Sequence, residues 1–323
     1  MRRREFLLGA GAGIAVASPS HAQPSARPQV GVLFPGGPAA LELRMPPFRD
    51  GVFSAAAAPN PDIEIVARIA AGNPGRLPAL ATELVGMGVR AILAVSPAAV
   101  RAARNATATI SIVAHDLESD PIANGWAASI ARPGGNITGL FLDLPDISVK
   151  CLQLLQEVVP GQKVGILWDP ATGSVPLEAV KAAVAELGAA AEIVEMHSAD
   201  ELDGIFRRLS RDLAGGVLML SSPVVGTNPA RVAGLALAHK LPAITLFAEF
   251  AHGGGLLSYG PDTPAMYRQA GILVRKLMQG EKAADLPIER PARFLLAVNL
   301  RSAKAIGIGV PTSILVRADE VIE

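Results

Sequence analysis

The chain has 323 residues, with 29 Lys and Arg against 29 Asp and Glu, and half of its residues are apolar. Balanced charge without a basic stripe argues against nucleic acid as a partner, and the single cysteine, Cys151, excludes an internal disulfide. The length exceeds one ordinary domain and suits two.

Arg2, Arg3 and Arg4 stand before Glu5-Phe6-Leu7-Leu8, and a small-residue apolar stretch runs from Leu7 to Ala17. Ser20-His21-Ala22 places small residues where a signal peptidase reads them. A charged start, a short apolar run and an A-x-A-like site form a secretory signal over residues 1–22. Arg3-Arg4-Glu5-Phe6-Leu7 also resembles the twin-arginine pattern, and the bland alternative is an ordinary leader with extra arginines. The apolar run is too short to span a bilayer.

From Gln29 onward, strand-like and helix-like segments alternate. Residues 30–34 form an apolar run ending at Pro35-Gly36-Gly37-Pro38, as a buried strand emptying into a loop does. Leu77, Leu80, Ala81, Leu84 and Val85 keep helical spacing, stopped by Gly86 and Gly88. Strands are predicted at 91–95 and 110–114, with a helix after Ser96-Pro97. The rhythm restarts beyond Arg132-Pro133-Gly134-Gly135-Asn136. Cys151 lies on the apolar face of a helix with Leu154, Leu155 and Val158, which reads as a buried, inert thiol. Strands follow at 164–168, 191–194, 217–220 and 243–246, and helices carry Leu177 to Leu187 and Leu202 to Leu209. Ser198 and Glu201 are spaced as a capping box. This alternation predicts an α/β protein with parallel sheets and helices on both faces.

Motifs for catalysis are missing. After the leader's His21, the histidines are His115, His197, His239 and His252, none close enough in sequence for a local metal motif. The sequence holds neither a nucleophile elbow nor a Walker A loop. Gly134-Gly135 and Gly253-Gly254-Gly255 read as turns. No metal and no cofactor are expected, although catalytic residues dispersed through the sequence stay open.

The polar candidates stand at predicted strand ends: Pro35 to Pro38, Ser96-Pro97, His115-Asp116 with Asp120-Pro121, Asp169-Pro170, Ser221-Ser222, and Phe247 to Phe250. Open α/β sheets bind ligands beyond the carboxyl ends of their strands, where helix N-termini favour a carboxylate. Ser96 is either a hydroxyl donor to a ligand or a helix N-cap. Asp116 or Asp120 would suit a cationic amine, with an Asp-Pro turn the equal alternative for Asp120. Phe34, Trp168 and Phe247 wall an apolar cleft or belong to the core.

Five segments carry a family likeness: 76–84 (RLPALATEL), 128–140 (ASIARPGGNITGL), 254–261 (GGLLSYGP), 283–289 (AADLPIE) and 317–323 (RADEVIE). In this order they resemble the ABC transporter substrate-binding proteins of the tryptophan/tyrosine-binding-like group. The resemblance implies a type I periplasmic-binding-protein fold: two Rossmann-like lobes with parallel sheets, joined by three hinge crossings. The N-lobe would hold 28–139 and 252–283, and the C-lobe 140–251 and 284–323. The crossings would fall near 138–139, 249–253 and 282–288. Ligand-holding loops would correspond to Phe34, Pro35, Gly36, Gly37, Ser96, Pro97, Ala98, Asp120, Asp169, Ser221 and Ser222, with Phe247 and Glu249 at a crossing and Asp116 from the strand-end reading. Val95-Ser96 stands where the family often has Gly-Thr, and residues 51–60 are unusually Ala-rich. The implied function is capture of a small amino acid or related carboxylate in the periplasm by a monomer that is not an enzyme, and delivery to an ABC permease in the inner membrane. An exported enzyme or a ligand-sensing partner on the same scaffold are the alternatives.

Overall fold

Apolar runs buried on both faces become the strands of two sheets, and the amphipathic segments between them become the covering helices. The computed structural model describes residues 27–53, 62–212 and 214–323. The leader at 1–22 and most of the Ala-rich segment 51–60 lie outside the described residues.

The first lobe is built from β1 (Gln29–Phe34), α1 (Pro38–Phe53), β2 (Glu64–Ile69), α2 (Leu77–Gly86), β3 (Ala91–Val95), α3 (Pro97–Ala106), β4 (Ser111–Asp116) and β5 (Ile137–Phe141). Its five strands run in the order β2-β1-β3-β4-β5, every pair parallel. Alternate residues serve opposite faces. Leu33, Ile92 and Ile112 pack with Leu77, Leu84 and Val100 on one side. Val32, Leu93 and Val113 pack with Phe48, Val52 and Leu273 on the other.

The second lobe comprises α4 (Leu144–Val158), β6 (Val164–Trp168), α5 (Val175–Glu186), β7 (Ala191–Glu195), α6 (Leu202–Arg211), β8 (Gly216–Met219), α7 (Pro223–Thr227), α8 (Pro229–Ala238), β9 (Ala243–Thr245), α9 (Ala248–His252) and β10 (Leu257–Pro261). After a return to the first lobe as α10 (Thr263–Met278), it adds β11 (Phe294–Asn299), α11 (Leu300–Ile306), α12 (Thr312–Arg317) and β12 (Glu320–Ile322). Its seven strands run β12-β11-β10-β9-β8-β6-β7. Among the described residues, no helix is long and apolar enough to cross a membrane.

The crossings differ from the expected ones. β5 keeps the chain in the first sheet as far as Phe141, so the first crossing falls at 142–143 rather than 138–139. The segment 252–283, expected whole in the N-lobe, is divided. β10 pairs with β9 and β11 at the centre of the second sheet, and only α10 belongs to the first lobe. Burial decides this: Leu257, Ser258, Gly260 and Pro261 are all enclosed, and a Cβ on Gly260 would lie 1.8 Å from the Leu246 carbonyl oxygen. The second crossing is therefore at Asp262, whose Oδ1 accepts the Ala265 N–H and starts α10. Residues 284–289, expected in the C-lobe, stay with the first lobe. Thr138 Oγ1 donates to the Leu286 carbonyl at 2.9 Å, and the Glu289 N–H donates to Gly139 at 2.9 Å. The third crossing follows at about Arg290.

This routing also explains the one antiparallel pair among the described residues, β10 with β11. The chain leaves the second lobe from the carboxyl end of β10 and re-enters at the same end, so β11 must run the opposite way.

The return of α10 depends on two glycines. A Cβ on Gly51 would stand 2.0 Å from the Arg268 carbonyl oxygen, and one on Gly271 would stand 2.2 Å from that of Phe48. Helices α1 and α10 thus meet backbone to backbone, which fastens α10 to the first lobe although its flanking strands lie in the second sheet.

Candidate functional site

Parallel strands send all their carboxyl ends to one edge, and the two sheets turn those edges toward each other. Among the described residues, two side-chain bonds cross the seam. Ser221, just beyond β8, donates its hydroxyl to Glu118 Oε1, just beyond β4, at 2.8 Å. Arg44 of α1 donates from Nη2 to Glu249 Oε1 of α9 at 3.2 Å.

Around Glu118 the seam is acidic. Asp116 ends β4 with no exposed surface; its Oδ1 accepts the N–H groups of Glu118 and Ser119, and its Oδ2 has no partner. From the other lobe, buried Asp169 accepts the Ala171 N–H on Oδ1 and the Ser222 hydroxyl on Oδ2, the latter at 2.7 Å. Burial raises the proton affinity of both first-lobe carboxyls well above the ordinary range. Backbone N–H donors oppose the rise at Asp116. At Glu118 the neighbouring Asp116 adds to it, and Ser221 opposes it.

A cavity of about 510 Å³ opens beside this cluster. The first lobe contributes Pro97, Arg101, Glu118, Asp120 and Asn124, and the second contributes Leu144, Pro145, Thr172 and Pro176. The crossings add Leu142, Asp143 and Arg290 to its lining, and Arg290 Nη1 meets Asp143 Oδ2 at 3.0 Å. The volume suits a small molecule held by both lobes.

Around Arg44 a second group forms. Its guanidinium lies 6.0 Å from the Phe34 ring centroid. His115, also at the end of β4, stacks on Tyr267 of α10 with centroids 4.4 Å apart. Burial lowers the His115 pKa to about 4, with Arg44 pushing the same way. Burial raises that of the Tyr267 phenol.

The sequence-derived candidates divide between these places. Pro97 and Asp120 line the cavity. Asp116, Asp169, Ser221 and Ser222 form the acidic seam with Glu118. Phe34 and Glu249 belong to the Arg44 group. Pro35 and Gly36 give their carbonyls to the N–H groups of Gly72 and Ala71, and nothing lies within 4 Å of a Cβ placed on Gly37. Ser96 caps α3 by accepting the Ala99 N–H, and half-buried Ala98 packs on the first lobe's core. Phe247 packs among the second lobe's apolar residues, and Trp168 donates to the Gly173 carbonyl. Asp120 also closes a local turn, accepting from Ile122 and Ala123. Ser198 does not cap a helix through its side chain; Glu201 instead accepts the His197 N–H. Sequence reasoning missed Arg44, Arg101, Glu118, Tyr267 and Arg290. The one available signal was the alternate spacing of Asp116, Glu118 and Asp120 behind a buried strand.

Comparison with known proteins bears on this geometry. A family model described as ABC transporter substrate binding protein matches residues 48–322. A tyrosine-binding protein of Clostridioides difficile is 24% identical over 234 residues, which cover 70% of this chain and 66% of the relative, just under two thirds of its length. Among solved structures, an ABC domain from Streptococcus pneumonia in complex with L-Trp superposes with TM-score 0.82 at 20% identity, over 92% of this chain and 100% of that one. A conserved domain protein from Vibrio cholerae gives TM-score 0.81 at 21% identity, over 91% and 99%.

Proposed function

The chain belongs to the ABC transporter substrate binding protein family, and from that premise we propose that it captures an amino acid or related small carboxylate between its lobes and passes it to an ABC permease. The observation that carries this reading is the cavity of about 510 Å³ walled by both lobes and the crossings, with Ser221–Glu118 and Arg44–Glu249 bonding across the seam. A ligand that touches both lobes only when they are closed shifts the population toward the closed form. The L-Trp complex of the streptococcal domain and the name of the clostridial relative make aromatic amino acids the first ligands to try. Export to the periplasm by the twin-arginine route rests on Arg3-Arg4-Glu5-Phe6-Leu7.

The test is a thermal-shift and calorimetric screen of purified protein, stripped of prior ligand, against the standard amino acids and their deaminated acids. At about 100 times Kd, a bound ligand adds about 2.7 kcal/mol of stability, a readily measured rise in Tm. No response to any member of the panel would refute the reading. Export is tested separately, by following the full chain in cells with and without a working twin-arginine translocase.

A further inference from the structure

Glu118 is a carboxylate without a cation. It walls the cavity, is held in place by the Ser221 hydroxyl of the opposite lobe, and faces two more carboxylates, Asp116 on its own loop and Asp169 across the seam. Their hydrogen-bond donors are hydroxyls and backbone N–H groups; among the described residues, none has an ion pair with Lys or Arg. Arg101 of α3 lines the same cavity but is exposed, and Arg290 is already paired with Asp143. Asp116 keeps one oxygen unbonded with no exposed surface, a state a buried carboxylate does not hold without cost. Closing the lobes therefore gathers three carboxyl groups at one wall of the cavity, where burial raises the proton affinity of Asp116 and Glu118 and an arriving cation would hold them ionised. Among the described residues, no group of three or more His, Cys, Asp or Glu is arranged to hold a metal ion. An alkylammonium asks only for acceptors within hydrogen-bond reach and no fixed coordination polyhedron.

We propose that Glu118 is the acceptor for the ligand's ammonium group and is the residue by which the cleft selects amino acids over acids that lack the amine. The proposal rests on the reading of the cavity as the ligand site. Glu118 supplies the counter-charge, Asp116 and Asp169 deepen the negative potential behind it, and Ser221 orients the carboxylate only when the lobes meet. Selection and closure then act through one side chain. Arg101, on another wall of the same cavity, supplies the positive potential that a ligand carboxylate requires.

The test is isothermal titration of the full mature protein with L-tryptophan and with 3-(indol-3-yl)propionate, which lacks only the amine. If another amino acid is the better binder in the panel, that acid and its deaminated analogue take their place. Wild type is expected to prefer the amino acid by about 100-fold or more, the scale of losing one partner of a desolvated charge pair. Glu118→Gln keeps the shape and the Ser221 contact. It should weaken the amino acid by about 30- to 100-fold and leave the deaminated acid within about threefold, so the preference collapses. Glu118→Ala, with its fold checked by circular dichroism, should do the same. A wild-type preference that persists in folded Glu118→Gln overturns the proposal while leaving the ligand site intact. Failure of every amino acid to bind wild type refutes the reading of the cavity, and this proposal with it.

Discussion

Arg44 and Glu249 form an ion pair between elements of different lobes, Nη2 to Oε1 at 3.2 Å, with side chains 17% and 30% exposed. The pair exists only while α1 and α9 are near each other, so it contributes to the closed form and to nothing within either lobe. Arg44 is further fixed by donating from Nη1 to the Ala40 carbonyl at 2.8 Å. Glu249→Gln removes the charge while keeping the shape. Partial exposure limits the loss to about 1 kcal/mol, so ligand affinity should fall about fivefold. Small-angle scattering of the ligand-free protein should show a larger radius of gyration than wild type. Equal radii and equal affinities would show that the pair does not bias closure.

The contact between Gly51 and Gly271 makes a different prediction. Neither position has room for a methyl group, because each Cβ would meet backbone and not a side chain able to move away. Gly271→Ala should force α1 and α10 apart and lower stability by about 1 to 3 kcal/mol, the usual cost of overpacking. Residues within the second lobe should keep their protection against hydrogen exchange, while α10 and α1 lose theirs. A variant as stable as wild type would mean that the helices separate freely, and the account of how α10 is held would be wrong.

The same contrast shows what the sequence could reveal. Residues 91–95 and 164–168 were legible as strands because both faces of each are buried, which leaves an uninterrupted apolar run. β2 was not, because Glu64 and Arg68 interrupt its run and its side chains are only partly covered. β10 entered the sequence reading only within the 254–261 family segment, and there as part of the N-lobe and not of the second sheet. Its placement follows from the pairing of Leu257 with Ile244 and Val298, which no local pattern encodes. Asp169, Ser221 and Ser222 were named as candidates because they come directly after the strands predicted at 164–168 and 217–220. Glu118 lies two residues past β4, in a stretch where an acidic side chain reads as solvated surface. Only the arrival of Ser221 from the other lobe distinguishes it. Arg44 sits in mid-helix, and its role depends on a residue 205 positions away.

His115 predicts a pH dependence of stability. Its pKa falls from 6.5 to about 4 on folding, chiefly by burial, and its Nε2 has no partner. A depressed pKa means the folded state holds the neutral ring. The stability linked to it is present above pH 6.5 and is lost as pH falls through about 4. At about 1.4 kcal/mol per pH unit, the full loss is about 3 kcal/mol. Asp116 and Glu118 act in the opposite sense, since a raised carboxyl pKa favours the folded state as pH falls. The difference between wild type and His115→Phe isolates the histidine, and phenylalanine preserves the stack on Tyr267. Urea denaturation should show the variant losing less stability than wild type between pH 6.5 and 4. Parallel curves would mean that the ring is protonated without penalty.

Ser96 lies where β3 gives way to α3, with φ 88° and ψ 158°. That region of backbone space is almost reserved for glycine and costs other residues about 1 to 3 kcal/mol. The strain is offset in part by two bonds: the Ser96 N–H donates to the His115 carbonyl at 3.0 Å, and Oγ accepts the Ala99 N–H at 3.4 Å. These bonds separate two substitutions that a simple capping role would not. Ser96→Ala keeps the strain and loses the cap, so it should lower stability by about 1 kcal/mol. Ser96→Gly loses the same hydroxyl but relieves the strain. Glycine substitutes for a serine cap at a cost of only a few tenths of a kcal/mol, and its added freedom in the unfolded chain costs about 0.4 to 1 kcal/mol. The balance leaves Ser96→Gly as stable as wild type or more stable, and above Ser96→Ala by at least about 1 kcal/mol. Thermal unfolding of the three proteins without ligand decides the order. If Ser96→Gly unfolds below Ser96→Ala, the backbone at this strand end is not strained, and the hydroxyl alone accounts for the serine.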